Sequence, residues 1–252
     1  MYDIIINNLS RIEKEHNIKI LYACESGSRA WGFPSKDSDY DVRFIYIRSK
    51  DWYLSIDERK DTLEFPINDV LDISGWDIRK SLKLLRASNA VVFEWLQSPI
   101  VYKEEPEFSN RMKALFPDFF SIRAGMHHYL SMAKNGYENE LQGEQVKLKK
   151  YFYALRPVLA CKWIAEKKET PPMEFGILRQ LIHEQKELNL IIDQLLEQKS
   201  VGDEKDTLAP ISILNSFIES EIKEAKKVCE EFEKQKGDSK VLDDLFRELL
   251  QK

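Results

Sequence analysis

Between residues 25 and 48 the chain reads ESGSRAWGFPSKDSDYDVRFIYIR, and four residues of types that could act together stand in this stretch: Gly27, Ser28, Asp39 and Asp41. Gly27 has no Cβ, so its backbone N–H can come close to a phosphate, and the Ser28 hydroxyl adds a donor at an expected helix start. Asp39 and Asp41 sit at alternate positions where an apolar run begins. In extended geometry that spacing puts both carboxylates on one face, about 6.5–7 Å apart along the chain. Hard divalent cations such as Mg²⁺ take oxygen ligands of this kind. The same residue types also build turns and caps, so the Asp-x-Asp has to be read with its surroundings.

Those surroundings are ordered. Apolar spacing over 2–12 predicts an opening amphipathic helix, which Asn17 ends, and 18–23 reads as a strand running into Gly27 and Ser28. A loop over 29–38 then leads to the carboxylates and a strand over 41–47. A polar, charged segment with Pro66 precedes a third strand over 70–74. Asp77 stands where an N-cap would, with helical periods over 80–85 and 89–96 behind it. Pro99 breaks the second helix before a small strand over 100–102. The alternation predicts a mixed α/β domain over residues 1–105.

Past Pro106 the strand-like runs stop, and helices are expected over 118–137, 144–166, 174–196, 210–235 and 241–250. The breaks fall at Pro171-Pro172 and over the polar stretch 199–207. Residues 106–252 are therefore expected to form an all-helical domain. The charge-dense segment 219–236 reads as a solvated helix face.

The order strand, Gly-Ser, loop, Asp-x-Asp strand resembles the signature of the DNA polymerase beta-like nucleotidyltransferase superfamily. More closely, G-S-R-A-W-G, S-D-Y-D-V-R and the later G-W-D-I-R-K resemble a bacterial family described as predicted nucleotidyltransferases, some members of which are linked to RNA repair. The resemblance implies an α/β (α+β) nucleotidyltransferase-like domain with a small mixed sheet. It also implies an NTP substrate, Mg²⁺ or Mn²⁺, and transfer of a nucleoside monophosphate to a hydroxyl on an RNA or protein acceptor. A catalytically weak nucleotide-binding module of the same fold is the alternative.

Two metal ions need more than two carboxylates. Asp72 and Asp77 are the candidates for a third. Asp72 lies inside the apolar run VLDIS, where a strand beside the Asp-x-Asp strand would bring it about 4.8 Å away in the pairing direction. Asp77 follows Gly75 at a helix start, where capping accounts for it. Asp72 is the choice, and the resembling superfamily's strand carboxylate followed by a helix agrees with it. Asp39, Asp41 and Asp72 are thus the expected metal ligands and catalytic residues.

The expected nucleotide contacts are Gly27, Ser28, Arg29, Arg43, Lys147, Lys150, Tyr151 and Arg156. Arg43 shares strand parity with Asp39 and Asp41, and either counters their charge or faces a phosphate. Arg29 either touches a phosphate or is simply exposed. Lys147, Lys150 and Tyr151 are spaced i, i+3 and i+4, one face of a helix, with Arg156 further along. They suit triphosphate neutralisation and base stacking, or else a buried helix with snorkelling lysines. The resembling family carries a similar K-K-Y-F-Y-x-L-R run beside its catalytic domain.

The net charge of −5 argues against a general duplex-DNA binder, and 43% hydrophobic residues argue against a disordered chain. The opening residues MYDIIINNLSRIEKEH have no basic stretch before their apolar ones and no cleavage-like site. No apolar run is long enough to span a bilayer, and a cytoplasmic protein is expected. Cys24, Cys161 and Cys229 lie far apart, outside any zinc spacing, and read as reduced, packed thiols.

Overall fold

The computed structural model describes every residue except 68–69, 204, 231, 233–236 and 252. The chain clusters into two compact units, one made of Met1–Gly27, Asp39–Phe119 and Lys236–Lys252, the other of Ser28–Ser38 and Phe120–Gln235.

In chain order the α-helices are α1 (Tyr2–His16), α2 (Gly27–Trp31), α3 (Lys50–Tyr53), α4 (Ile78–Arg86), α5 (Ala90–Leu96), α6 (Pro106–Ala114), α7 (Phe116–Phe119), α8 (Ile122–Glu140), α9 (Leu148–Lys167), α10 (Phe175–Leu178), α11 (Lys186–Val201), α12 (Ser212–Cys229) and α13 (Ser239–Leu249). The strands are β1 (Lys19–Ser26), β2 (Tyr40–Ile47), β3 (Thr62–Glu64), β4 (Leu71–Asp77), β5 (Val101–Glu104), β6 (Val146–Lys147) and β7 (Thr207–Leu208).

The first unit is built on a five-stranded mixed sheet in the order β3-β4-β2-β1-β5. Only the β2–β4 pair is parallel; β1–β2, β1–β5 and β3–β4 are antiparallel. Side-chain alternation divides the sheet into two faces. One face presents Val42, Phe44, Tyr46 and Ile73 to Ile5, Leu9 and Ile12 of α1, and these form one buried apolar cluster. Helix α1 presents the three residues at i, i+4 and i+7 and ends at Asn17 in the left-handed region (φ 49°), which asparagine tolerates well. Gly75 of β4 faces Phe44, its register partner, and a Cβ there would overlap the Phe44 ring.

The opposite face carries Asp41, Arg43 and Ile45 on β2 and Asp72, Ser74 and Trp76 on β4. Helices α4 and α5 cover it: α4 packs on β2 and β4, and Trp76 stacks on Trp95 of α5 with ring centroids 3.8 Å apart. The expected mixed α/β fold with a small sheet is the fold observed.

The second unit is dominated by α8, α9 and α12, packed against one another. Phe33, Phe152 and Phe175 form an aromatic core there, with Phe33 stacked on Phe152 at 5.1 Å. Several expected helices are shorter or broken. The 118–137 pattern is interrupted at Ser121, which caps α8 by accepting from the Ala124 N–H. The 144–166 pattern becomes helical only at Leu148, because Val146 and Lys147 pair with Leu208 and Thr207 as a small antiparallel sheet. The 174–196 pattern is two α-helices joined through a 3₁₀ turn, Arg179–Ile182. Of the 210–235 pattern, Ser212–Cys229 is α-helix, while 231 and 233–235, which also belong to the charge-dense segment, lie outside the described residues. Helix α6, which opens with Pro106 at its first turn, and the short α3 and β3 had no counterpart in the sequence reading.

Among the described residues no helix is long and apolar enough to cross a membrane. All three cysteines are free and buried.

Candidate active site

Strands β2 and β4 run parallel with Asp41 directly opposite Asp72, so the two carboxylates stand on the same face of the sheet. Arg43, two residues along β2 and therefore on that face as well, reaches back between them. Its Nη2 donates to Asp41 Oδ1 at 3.1 Å and to Asp72 Oδ2 at 2.7 Å, and its Nη1 donates to the backbone oxygens of Val42 and Asp72. Each carboxylate is partly buried, and the Arg43 side chain is only 17% exposed. Two like charges in such a setting need a counter-charge, and one guanidinium supplies it to both.

A buried carboxylate lies behind this pair. Glu25, at 0% exposure, accepts from the Asp41 backbone N–H with Oε1 at 2.7 Å and from the Tyr102 hydroxyl with Oε2. The Ser98 hydroxyl donates to the Glu25 carbonyl at 2.7 Å. Glu25 therefore fixes the start of β2, the part of the strand that bears Asp41. It stood at the edge of the stretch singled out in the sequence, immediately before Ser26-Gly27, but its partner is on β5 and no local spacing points to it.

Gly27 follows β1 and opens α2 with φ +70°, and a Cβ at that position would overlap Asp41 Oδ2. The left-handed backbone strains any residue with a side chain here, and a Cβ would also push the Asp41 carboxylate aside.

Asp39 is exposed and lies one residue ahead of β2, outside the ladder. Ser28 is buried, its hydroxyl donating to Ser38 Oγ at 3.1 Å, and Arg29 Nη2 donates to the Ser38 carbonyl at 2.6 Å. In the helical unit, Lys147 is the N-cap residue of α9 and belongs to β6, so it does not share a helix face with Lys150 and Tyr151. Lys150 pairs with Glu140 at 2.9 Å. The Tyr151 ring is fully buried; its hydroxyl donates to Asn215 Oδ1 at 3.0 Å and accepts from the Ile211 N–H at 2.7 Å, and burial raises its pKa. Arg156 is 1% exposed, donates from Nε to the Met173 carbonyl at 3.0 Å and lies over the Trp31 ring at 4.7 Å. Asp41, Asp72, Arg43 and Gly27 are thus brought together in the first unit, while Lys150, Tyr151 and Arg156 are engaged in packing and pairing within the second.

Asp77 has a different role. It caps α4 by accepting from the Arg79 N–H at 2.8 Å, and its other oxygen accepts from the buried Tyr53 hydroxyl at 2.8 Å. Burial raises its pKa despite these hydrogen bonds, and burial likewise pushes the Tyr53 hydroxyl well above the ordinary tyrosine range. On β4 it lies opposite Tyr46, five residues beyond the Asp41–Asp72 pairing.

The donor set suits a hard divalent cation, because it consists of carboxylate oxygens, and the space between Asp41 and Asp72 already accommodates one positive group. Among the described residues no three His, Cys, Asp or Glu side chains converge tightly enough to hold a metal as they stand. A cation between these two carboxylates would take over the place of the Arg43 guanidinium.

A sequence profile of RlaP, the RNA repair pathway DNA polymerase beta family, matches residues 1–248. The chain belongs to this family. The RlaP family is a polymerase beta family, which agrees with the resemblance of this sequence to polymerase beta-like nucleotidyltransferases. The chain is 47% identical over 234 residues to the uncharacterized protein YcgL of Bacillus subtilis (strain 168), an alignment covering 93% of this chain and 90% of YcgL. A looser similarity, with a TM-score of 0.32 and 14% identity, links it to a nucleotidyltransferase-like protein from Exiguobacterium sibiricum 255-15, over 97% of this chain and 80% of that one.

Proposed function

We propose that this RlaP-family protein is a divalent-metal-dependent nucleotidyltransferase that moves a nucleoside monophosphate from an NTP to a hydroxyl of an RNA or protein acceptor. The observation that carries the reading is the opposition of Asp41 and Asp72 across a parallel strand pair, around one cationic group, in a chain of a polymerase beta family. Asp39, Asp41 and Asp72 would hold Mg²⁺ or Mn²⁺, which when bound neutralises triphosphate charge and lowers the pKa of an attacking hydroxyl.

The chain's own residues have defined tasks in this scheme. Asp72 accepts the acceptor hydroxyl's proton. The freed oxygen forms a bond to the α-phosphorus as the bond from that phosphorus to the α–β bridging oxygen breaks, and pyrophosphate leaves. Gly27 leaves room for a phosphate beside Asp41, since its backbone can approach where a side chain could not. Glu25 holds the Asp41 backbone in place. Arg43 leaves the carboxylates when substrate and cation arrive, and its charge then becomes available to a phosphate. Catalysis in a reducing compartment such as the cytoplasm agrees with three free, buried thiols.

The test is incubation with each labelled NTP, Mg²⁺ or Mn²⁺, and RNA or protein acceptors. Wild type should transfer label, and an Asp39→Ala/Asp41→Ala variant should not. Equal, background-level labelling by both would reject the enzyme reading for those acceptors.

The contact of Arg43 with both carboxylates favours a second reading, a nucleotide-binding regulatory module whose cation place is filled by the protein itself. Calorimetry separates the two: tight NTP binding that is indifferent to Mg²⁺ and leads to no turnover would support the module.

A further inference from the structure

Helix α4 carries a basic face that could receive the acceptor. Four of its nine residues, Arg79, Lys80, Lys83 and Arg86, are basic and none is acidic. Arg79, Lys83 and Arg86 are spaced i, i+4 and i+7, which keeps them within about 60° on one helix face, and all three are exposed. Lys80 turns aside and pairs with Asp61 at 3.4 Å. Lys83 and Arg86 have no ion-pair partner among the described residues.

These cations line a concavity. A groove of about 250 Å³ between α4 and α13 is bordered by Arg79, Lys83 and Arg86, with Asp243 the one acidic residue on its wall among the described residues. Partly exposed Phe246 lies in the same groove, 5.5 Å under the Arg79 guanidinium. A second cavity of about 230 Å³ shares Arg79 and Lys83 but adds Asp57, Glu58, Asp61 and Asp77. The positive run therefore extends along α4 toward Arg86 and not into that acidic neighbour.

The direction matters. Helix α4 begins immediately after β4 and packs on β2 and β4, and a helix that follows a strand and lies on its sheet runs back over it. Its nine residues cover about 14 Å at helical rise, against about 17 Å from Asp72 to Asp77 at strand rise. The Arg86 end consequently returns toward the end of the sheet that carries Asp41 and Asp72.

We propose that this face of α4 binds the phosphate backbone of a single-stranded RNA acceptor and leads its end toward the carboxylates, an inference that rests on the nucleotidyl-transfer reading above. Cations spaced along a groove with an aromatic ring among them match the backbone and base faces of a single strand. An acidic protein would satisfy the cations alone. The overall charge of −5 makes a concentrated basic stripe the means by which a polyanion could be held.

The test uses the full chain, a 5′-fluorescein single-stranded RNA oligonucleotide and fluorescence anisotropy across a salt series. Lys83→Gln/Arg86→Gln removes two cations; Arg79 is left in place because it stacks on Tyr53 and Phe246. Lys14→Gln/Lys226→Gln makes the same charge change at exposed sites on α1 and α12. Thermal melts establish that both variants are folded. The α4 variant should bind at least roughly tenfold more weakly, with the slope of log K against log salt smaller by about 1.4, two single-strand phosphate contacts. The control variant should stay within about threefold of wild type.

Equal weakening in both variants, or no RNA binding by wild type at low salt, overturns the proposal. So does displacement of the RNA by polyglutamate at equal charge, which would make the stripe a surface for acidic protein. NTP binding by wild type in Mn²⁺, measured alongside, keeps the two readings apart: RNA binding on α4 without any NTP binding would reject nucleotidyl transfer and leave the RNA surface standing.

Discussion

Asp41 and Asp72 face each other across the parallel β2–β4 pair, and Nη2 of Arg43 holds both, at 3.1 and 2.7 Å. Two carboxylates on adjacent strands repel, and the repulsion is stronger where solvent is partly excluded. Arg43 is therefore a structural counter-charge to both carboxylates, and a bound cation would compete with it.

Arg43→Ala should lower the stability of the metal-free protein by about 1–3 kcal/mol, the cost of leaving partly buried charged acceptors without their donor. Mn²⁺ should then raise the melting temperature of the variant more than that of wild type, because the cation supplies the missing charge. Differential scanning fluorimetry with and without Mn²⁺ measures both. An identical Mn²⁺ shift in the two proteins would mean that metal and Arg43 do not share a place.

Asp72→Asn keeps the shape of the side chain while removing its charge and its ability to take a proton. Initial-rate measurements of nucleotide transfer should show a fall of about 10²–10⁴, with NTP binding reduced less than turnover. Asp77→Asn, whose target caps α4 and bonds Tyr53, should alter the rate by only a few fold. The reverse ranking would move the third carboxylate from Asp72 to Asp77.

Asp77 also predicts a pH effect on stability. Its folded pKa is raised above the ordinary 3.8 by burial, so the folded chain holds this proton more tightly than the unfolded one. The resulting stability is fully present below the unfolded pKa and is lost as pH rises through the folded value. Asp77→Asn retains an acceptor for the Arg79 N–H and removes the titration. The difference in melting temperature, variant minus wild type, should grow in favour of the variant as pH increases from about 4 and then level off. A difference that does not change with pH would contradict the raised pKa.

What was legible in the sequence was local or periodic. The alternation of apolar residues through Val42, Phe44 and Tyr46, and through Leu71 and Ile73, gives both strands and places Asp41, Arg43 and Asp72 on the face opposite that apolar one. Asp77 as an N-cap follows from its position before a helical period, and its side chain does accept from Arg79 N. What was not legible depends on residues far apart in the chain. Lys147 is drawn out of the α9 pattern because it pairs with Thr207, sixty residues on. Tyr151 looks like a surface aromatic beside two lysines until α12 supplies Asn215 to its hydroxyl. Of Arg43's two carboxylate partners, Asp72 lies 29 residues along the chain from it, and only the parallel register makes that carboxylate a neighbour of Asp41. The Glu25–Tyr102 pair spans 77 residues; a lone glutamate at a strand end gives no sign of such a partner.

That last pair gives the most discriminating stability experiment. The Glu25 carboxylate receives two donors, the Asp41 N–H on Oε1 and the Tyr102 hydroxyl on Oε2. Glutamine has one acceptor and one donor end, so in Glu25→Gln either the backbone N–H or the hydroxyl meets an NH₂ group in a site with no solvent access. The expected loss is about 1–3 kcal/mol, the cost of a buried donor left unsatisfied. Tyr102→Phe alone should cost about 1 kcal/mol, since Oε2 loses its donor. In the double variant the glutamine carbonyl can still turn to the Asp41 N–H, but its amide loses the Tyr102 oxygen that could accept from it. The two losses should therefore not add: urea unfolding of the four proteins should give a coupling of about 0.5 kcal/mol or more in magnitude. Nucleotide-transfer rates should follow the same order, because a displaced Asp41 backbone moves its carboxylate. If the losses add and the rate of Glu25→Gln equals that of wild type, Glu25 is merely a buried polar residue and does not position Asp41.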